Sequence, residues 1–226
     1  MSKGEMSTAD TKEALDAMLT KTARPRTATD FVSSSLRRSI LTGELAGGTR
    51  LGLNELASIF QVSTTPVREA LRELSFEGLV RLDSYRGGVV TAVSREEVEE
   101  IVRIRQALEP MAIEEAIEGM SDTIIAQAQA ILDEMAGSDD WDTWVLGNRA
   151  FHQKIYEAAR STRLVSIIQS LQSTQVVFVS ATLQRSPVLK ETATHDHTAM
   201  LRAAKERDAA TLTEITIRHL AIPIRD

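Results

Sequence analysis

The sequence predicts a mainly α fold built in two parts, and three observations carry that expectation. Residues 25–93 hold three short apolar-periodic segments punctuated by glycine, then two β-rich runs around a Gly-Gly turn. From Ser94 onward the pattern changes to one long helical period after another. The charge changes with it. Residues 25–94 carry eight Arg and seven acids, whereas residues 95–226 carry fourteen bases against twenty-one acids, so the net charge of −6 belongs to the C-terminal part. A length of 226 residues agrees with two domains.

Each element follows from its own signals. Residues 1–24 are polar and balanced in charge, and read as a mobile tail. Between Thr27 and Thr42, Phe31, Val32, Leu36, Ile40 and Leu41 fit one helical face, and Gly43 is a stop. The segment GELAGGTRL reads as a turn into a short strand. Asn54 is expected to cap a short helix over 55–60, and Thr65-Pro66 to open a third helix that ends near Gly78. LVRLDSYRGGVVTAV then reads as a hairpin turning through residues 83–88. Helix, helix, helix and hairpin within about seventy residues is the layout of a winged helix-turn-helix.

Ser94-Arg95-Glu96-Glu97 is a capping box that opens a helix to about Glu118. Further helices are expected at about 122–136, 139–160, 162–183, 187–205 and 207–221, as an antiparallel all-α bundle over 94–226. The β-branched run at 176–183 is read as helix because it continues the stripe of Leu164, Ile167, Ile168 and Leu171. The absence of Cys excludes a disulfide scaffold, a thiolate zinc finger and a Cys nucleophile. No apolar run approaches the roughly 20 residues that span a bilayer, so no membrane partner is expected. The first residues have no apolar core of a secretory signal, and a cytoplasmic location is expected.

Two features of the second part stand out on spacing alone. Val98, Ile101, Val102, Leu108 and Ala112 form an apolar stripe, and Arg105 falls on it. A charge there needs a partner. Either Glu109, four residues on, pairs with it, or it waits for an anionic ligand. Three of the four histidines also lie on inward stripes of three different helices: His152 one turn after Asn148, His197 with Met200 and Leu201, and His219 with Leu212 and Ile215. His195 aligns with polar neighbours. Imidazoles converging from facing helices are a route to a metal site in a bundle core.

About sixty residues of the first part resemble the DNA-binding domain of GntR-family transcriptional regulators. The resemblance rests on Gly43, Gly47-Gly48, Leu56-Ala57, Val62-Ser63, Thr65-Pro66-Val67-Arg68-Glu69-Ala70-Leu71, Glu77-Gly78-Leu79-Val80 and Arg86-Gly87. It implies a helix that enters the major groove with its N-terminal residues. Ser63, Thr64 and Thr65 suit phosphate binding, Arg68 suits a base contact, and Arg86 with Gly87 suits a minor-groove contact by the wing. Relatives usually carry Arg at Thr64, and some carry Arg at Asn54. Both differences remove positive charge from the reading surface, so a different operator or weaker affinity is expected.

Residues 95–226 resemble the helical FCD effector-binding and dimerisation domain of FadR-type GntR regulators. The matching pieces are Arg105-x-x-Leu108-Glu109, Asn148-x-x-Phe151-His152, Asp196-His197-x-x-Met200-Leu201, Arg207-Asp208 and Arg218-His219-Leu220. The resemblance implies a divalent metal, zinc or nickel, on Asn148, His152, His197 and His219. It also implies a small carboxylate effector bridging the metal and Arg105. Many relatives have Asp at Asn148, and an amide oxygen is the weaker ligand. Six expected helices point to the smaller, VanR-like branch. Gln172, Thr174 and Gln175 are expected as polar liners.

Taken together, a repressor is expected that binds a pseudo-palindromic double-stranded operator as a homodimer and is released by a small carboxylate. Against this stand a metal-dependent hydrolase and a metal-free ligand sensor on the same helical domain. A hydrolase is disfavoured because no glutamate is spaced on a ligand-bearing helix to act as general base.

Overall fold

A computed structural model describes residues 27–83, 86–183 and 186–222. The tail read at 1–24 and the hairpin residues Ser84 and Tyr85 lie outside the described residues. The chain divides into two compact units between Val93 and Ser94. Among the described residues there are nine helices and one three-stranded sheet, and no helix is long and apolar enough to cross a membrane.

In the first unit, helix α1 (Ala28–Thr42) opens on a reciprocal cap: Thr27 Oγ1 accepts from the Asp30 N–H at 3.0 Å, and the Thr27 N–H donates to Asp30 Oδ2 at 3.1 Å. It ends where Gly43 turns left-handed at φ 85°. Strand β1 (Arg50–Gly52) leads directly into α2 (Leu53–Ile59), and α3 (Thr64–Phe76) packs on both α1 and α2. Val32, Leu36, Ile40, Leu56, Val67, Leu71, Leu74 and Leu79 form the core between them.

Two expected caps sit elsewhere. Gly52, not Asn54, caps α2, because pairing with the sheet holds the chain extended through residue 52 and the helix begins at once. Asn54 lies instead in the first turn, exposed. Ser63, not Thr65, holds the N-cap position of α3, without a side-chain cap bond, so Pro66 is the helix's third residue. Proline is tolerated anywhere in a first turn, where no N–H has an intrahelical acceptor, so it marks the turn rather than the cap.

Strands β2 (Val80–Asp83) and β3 (Gly87–Val90) form the wing, and β1 adds antiparallel to β3 to give the order β1-β3-β2. Leu51 and Leu82 both stand opposite Gly88. Gly87 closes the sheet at φ +118°, where a side-chain carbon would meet the Leu51 carbonyl oxygen at 2.0 Å.

The second unit holds α4 (Arg95–Gly119), α5 (Asp122–Ala136), α6 (Trp141–Tyr156), α7 (Thr162–Leu183), α8 (Pro187–Lys205) and α9 (Ala209–Leu220). The Ser94–Glu97 capping box starts α4 as expected. The helix runs through Pro110 because the flanking Arg105, Glu109, Ala112 and Ile113 are all buried, and their packing outweighs one lost backbone bond. Helix α4 packs on α6, α7 and α9, while α8 packs on α5, α7 and α9.

The sheet closure makes a test. Gly87→Ala combines an unfavourable φ with a backbone clash, and should destabilise the first unit by about 2 kcal/mol or more in urea unfolding. Gly43→Ala, with open space at its side-chain position, should cost less.

Candidate ligand pocket and nucleic-acid interface

Helix periodicity puts Asn148, His152 and Tyr156 on one buried face of α6. The same rule presents His197 from α8, and His219 with Thr216 from α9. The three histidines meet, with ring centroids 5.1 Å (152–197), 5.1 Å (152–219) and 4.7 Å (197–219) apart. One nitrogen from each lies within 4.8 Å of the others. Tetrahedral zinc holds imidazole nitrogens about 3.4 Å apart, so a contraction on the order of 1 Å completes such a site.

The donor set fits a metal. His197 is wholly buried with neither ring nitrogen partnered by protein, and the Nδ1 atom of His152 is in the same state. Buried polar atoms without a partner are costly, and a metal ion satisfies them. Burial, with the neighbouring His219, His197 and Arg105, holds His152 well below the usual imidazole range. Burial and His219 do the same for His197. Both are therefore neutral at pH 7, the form that binds metal. Asn148 shares the cavity with His152 and His219, whereas His197 lies behind them against Phe151, at 5.1 Å, and Trp144, at 6.4 Å.

The cavity has a volume of about 40 Å³. A single water needs about 10–15 Å³, so about three waters fit. Arg105, Gln172, Gln175, Val176, Ala193 and Ile222 complete much of its wall. None of its lining residues carries a carboxylate. Thr174, expected as a liner, is not one. It falls between Gln172 and Gln175 on α7, off the inward face, and its hydroxyl bonds back to the Ser170 carbonyl at 3.1 Å.

The two readings of Arg105 turn out to be compatible. Its Nε donates to Glu109 Oε1 at 2.6 Å and its Nη1 to Gln175 Oε1 at 2.6 Å, with Arg105 and Glu109 both buried. The Tyr156 hydroxyl donates to the other Glu109 oxygen at 2.6 Å. Burial and the Glu109 charge push that phenol well above 10, so it stays a donor. Among the described residues, two of the five guanidinium N–H groups find acceptors in Glu109 and Gln175, and the side chain still lines the cavity. Tyr156 is the member that spacing missed. Its i+4 relation to His152 was the available signal.

Beside the cavity, Arg218 donates to Asp196 Oδ1 at 2.5 Å, and Asp196 Oδ2 faces His219 Nδ1 at 3.7 Å. Burial alone would raise the Asp196 carboxyl, but the facing His219 and Arg218 side chains outweigh it and hold it at about 2. His195 is exposed, as its polar neighbours implied.

In the first unit, Asn54, Ser63, Thr65, Arg68 and Arg86 are exposed and Thr64 is half-buried. The exposed Ser63 makes no side-chain cap bond to the first turn of α3, which leaves the first-turn N–H groups without that partner. Gly87 is buried, and its glycine requirement is met inside the chain, at Leu51.

Two measurements check this description. Glu109→Ala strands a buried guanidinium and should cost about 3–5 kcal/mol in urea unfolding, against about 1–3 kcal/mol for Tyr156→Phe. His152 and His197 stay neutral in the fold but titrate near about 6.5 in the unfolded chain. The unfolded state then binds more protons below that pH. Melting of metal-free protein should show stability that is full above about pH 6.5 and falls as pH drops below it.

Comparison with known proteins agrees with both units. The description "Bacterial regulatory proteins, gntR family" matches residues 28–90, and the FCD domain matches residues 100–221. The chain is 31% identical to the gluconate operon transcriptional repressor of Bacillus licheniformis, over 62% of this chain and 58% of that protein. It is 30% identical to the HTH-type transcriptional regulator McbR of Escherichia coli, over 62% of this chain and 65% of that one. The match spans about three fifths of the length of these relatives. The solved structure of E. coli McbR/YncC superposes with a TM-score of 0.76 at 24% identity, covering 88% of this chain and 96% of that one, and shares its fold. These family members are transcriptional regulators by name. With its first unit matched by the gntR description and more than half its length by the FCD domain, the chain belongs to the gntR family of bacterial regulatory proteins, in the group that carries an FCD domain.

Proposed function

We propose that this protein is a ligand-responsive transcriptional repressor of the FadR subfamily, acting in the cytoplasm as a homodimer on a pseudo-palindromic operator. One observation carries the reading. The same chain pairs an exposed α3 N-terminus on a winged helix with three imidazoles that meet in the helical unit, two of them lining a cavity that Arg105 also lines.

On the DNA side, Ser63, Thr64 and Thr65 with the first-turn N–H groups bind phosphate, Arg68 reads a base edge, and Arg86 reaches the adjoining groove beside Gly87. Asn54, exposed in the first turn of α2, adds a polar contact. Two-fold protein symmetry is mirrored in the two half-sites.

On the effector side, Asn148, His152, His197 and His219 would hold a divalent ion, zinc or nickel, which would supply Lewis-acid attraction for a chelating carboxylate. The remaining N–H groups of Arg105 receive that ligand's other oxygens. The ligand regulates by favouring one arrangement of the DNA-binding units over another. Relatives named as gluconate operon transcriptional repressors support the sign of regulation. The six helices among the described residues of the second unit support the smaller, VanR-like branch.

The test is DNA-binding anisotropy on fragments upstream of the protein's own gene, with metal content measured on the same preparation. About one zinc or nickel per chain is expected. Binding should be reversed by small carboxylates only in the metal-loaded protein. Arg68→Ala should weaken binding about 10- to 100-fold. Failure to bind any such fragment, or failure to take up metal on reconstitution, overturns the corresponding half of the reading.

A further inference from the structure

The three histidines are not equivalent in what stands behind them. Among the described residues, His219 alone of the three has a carboxylate facing its ring, where Asp196 Oδ2 lies 3.7 Å from Nδ1. Both atoms are buried and neither has another protein partner. At that distance they do not yet share a hydrogen bond, but an approach of under about 1 Å gives each the partner it lacks. Asp196 is not free to turn away. Its other oxygen is held by Arg218 at 2.5 Å, and its side chain is only 4% exposed.

The geometry also says which edge of the ring is turned inward to the site. His219 lines the cavity while its Nδ1 is sealed from solvent. The lone pair offered to the cavity therefore belongs to Nε2. A carboxylate can only accept, so a proton placed on Nδ1 satisfies Asp196 and leaves Nε2 unprotonated. With the proton on Nε2 instead, the ring would aim an N–H at the cavity and set Nδ1 against a carboxylate with no proton between them.

We infer that Asp196, braced by Arg218, is a positioning residue that fixes His219 as its Nδ1–H tautomer and so presents Nε2 as a ligand atom. The assignment rests on the metal-pocket reading above, but it concerns a residue outside the ligand set. Arg218 is 45% exposed, so the brace runs from the protein surface through Asp196 to the ring. Carboxylate partners of ligating histidines typically contribute 10- to 100-fold to metal affinity.

Two readouts test it. The first is the tautomer of His219 in metal-free protein, by long-range ¹H–¹⁵N correlation of labelled histidine, with His219→Gln giving the assignment. The Nδ1–H form is expected in the wild type, and its loss in Asp196→Asn. The second is zinc affinity by competition with a chromophoric chelator. It should fall about 10- to 100-fold in Asp196→Asn and by a smaller factor in Arg218→Met. A merely structural role for Asp196 would move the melting temperature without moving the tautomer. If Asp196→Asn does not fold, Arg218→Met, altered at a half-exposed position, carries both readouts. An Nε2–H tautomer in the wild type overturns the assignment, as does zinc affinity within twofold of wild type in Asp196→Asn. If wild-type protein takes up no zinc at all, the metal reading fails, and the tautomer still decides this one.

Discussion

A guanidinium and a carboxylate buried one helical turn apart on α4 constrain the helical unit. Arg105 cannot enter the interior without Glu109, and Glu109 has a second oxygen that also needs a donor. Tyr156 of α6 supplies that donor, and Gln175 of α7 accepts from the other side of the guanidinium. Three helices are thereby registered to one another by charge and hydrogen bonding, beyond what apolar packing specifies. His152 lies one turn before Tyr156 on the same face of α6, so the network that compensates Arg105 also fixes where His152 stands.

The histidine site follows from that registration. His197 and His219 arrive on α8 and α9, whose apolar stripes pack against each other and against α4 or α5. The unit accepts buried imidazoles whose nitrogens lack protein partners, and their depressed basicity keeps His152 and His197 in the form that binds a metal. The site is poised by desolvation rather than by hydrogen bonding. Asp196 is the exception, because its own charge is held by Arg218 and turned toward one ring.

The first unit solves a different problem. Its core is assembled from leucine and valine on three short helices, and its sheet is only three strands of three or four residues. So small a sheet closes because Gly87 lets β1 and β3 approach where any side chain would strike the Leu51 carbonyl. With the core turned inward, α3 is left to present Thr65 and Arg68 outward, and its uncapped first turn adds oriented N–H groups.

By itself the sequence determined the elements and the faces. Helical periodicity put Arg105, Asn148, His152, His197 and His219 inward, and capping chemistry marked Gly43 and Ser94, because both are local properties with a period of 3.6 residues or a reach of three. What local rules could not give is which inward residues meet. That Tyr156 completes the Arg105–Glu109 pair, that Gln175 and not Thr174 reaches it, and that Asp196 faces His219 are contacts between helices. The caps of α2 and α3 also moved for a nonlocal reason or a permissive one: strand pairing at Gly52, and a first turn indifferent to proline at Pro66. Gly87 shows the same division. Its signal for a turn was legible, but the clash that makes glycine necessary comes from a strand more than thirty residues earlier, and only the folded chain brings the two together.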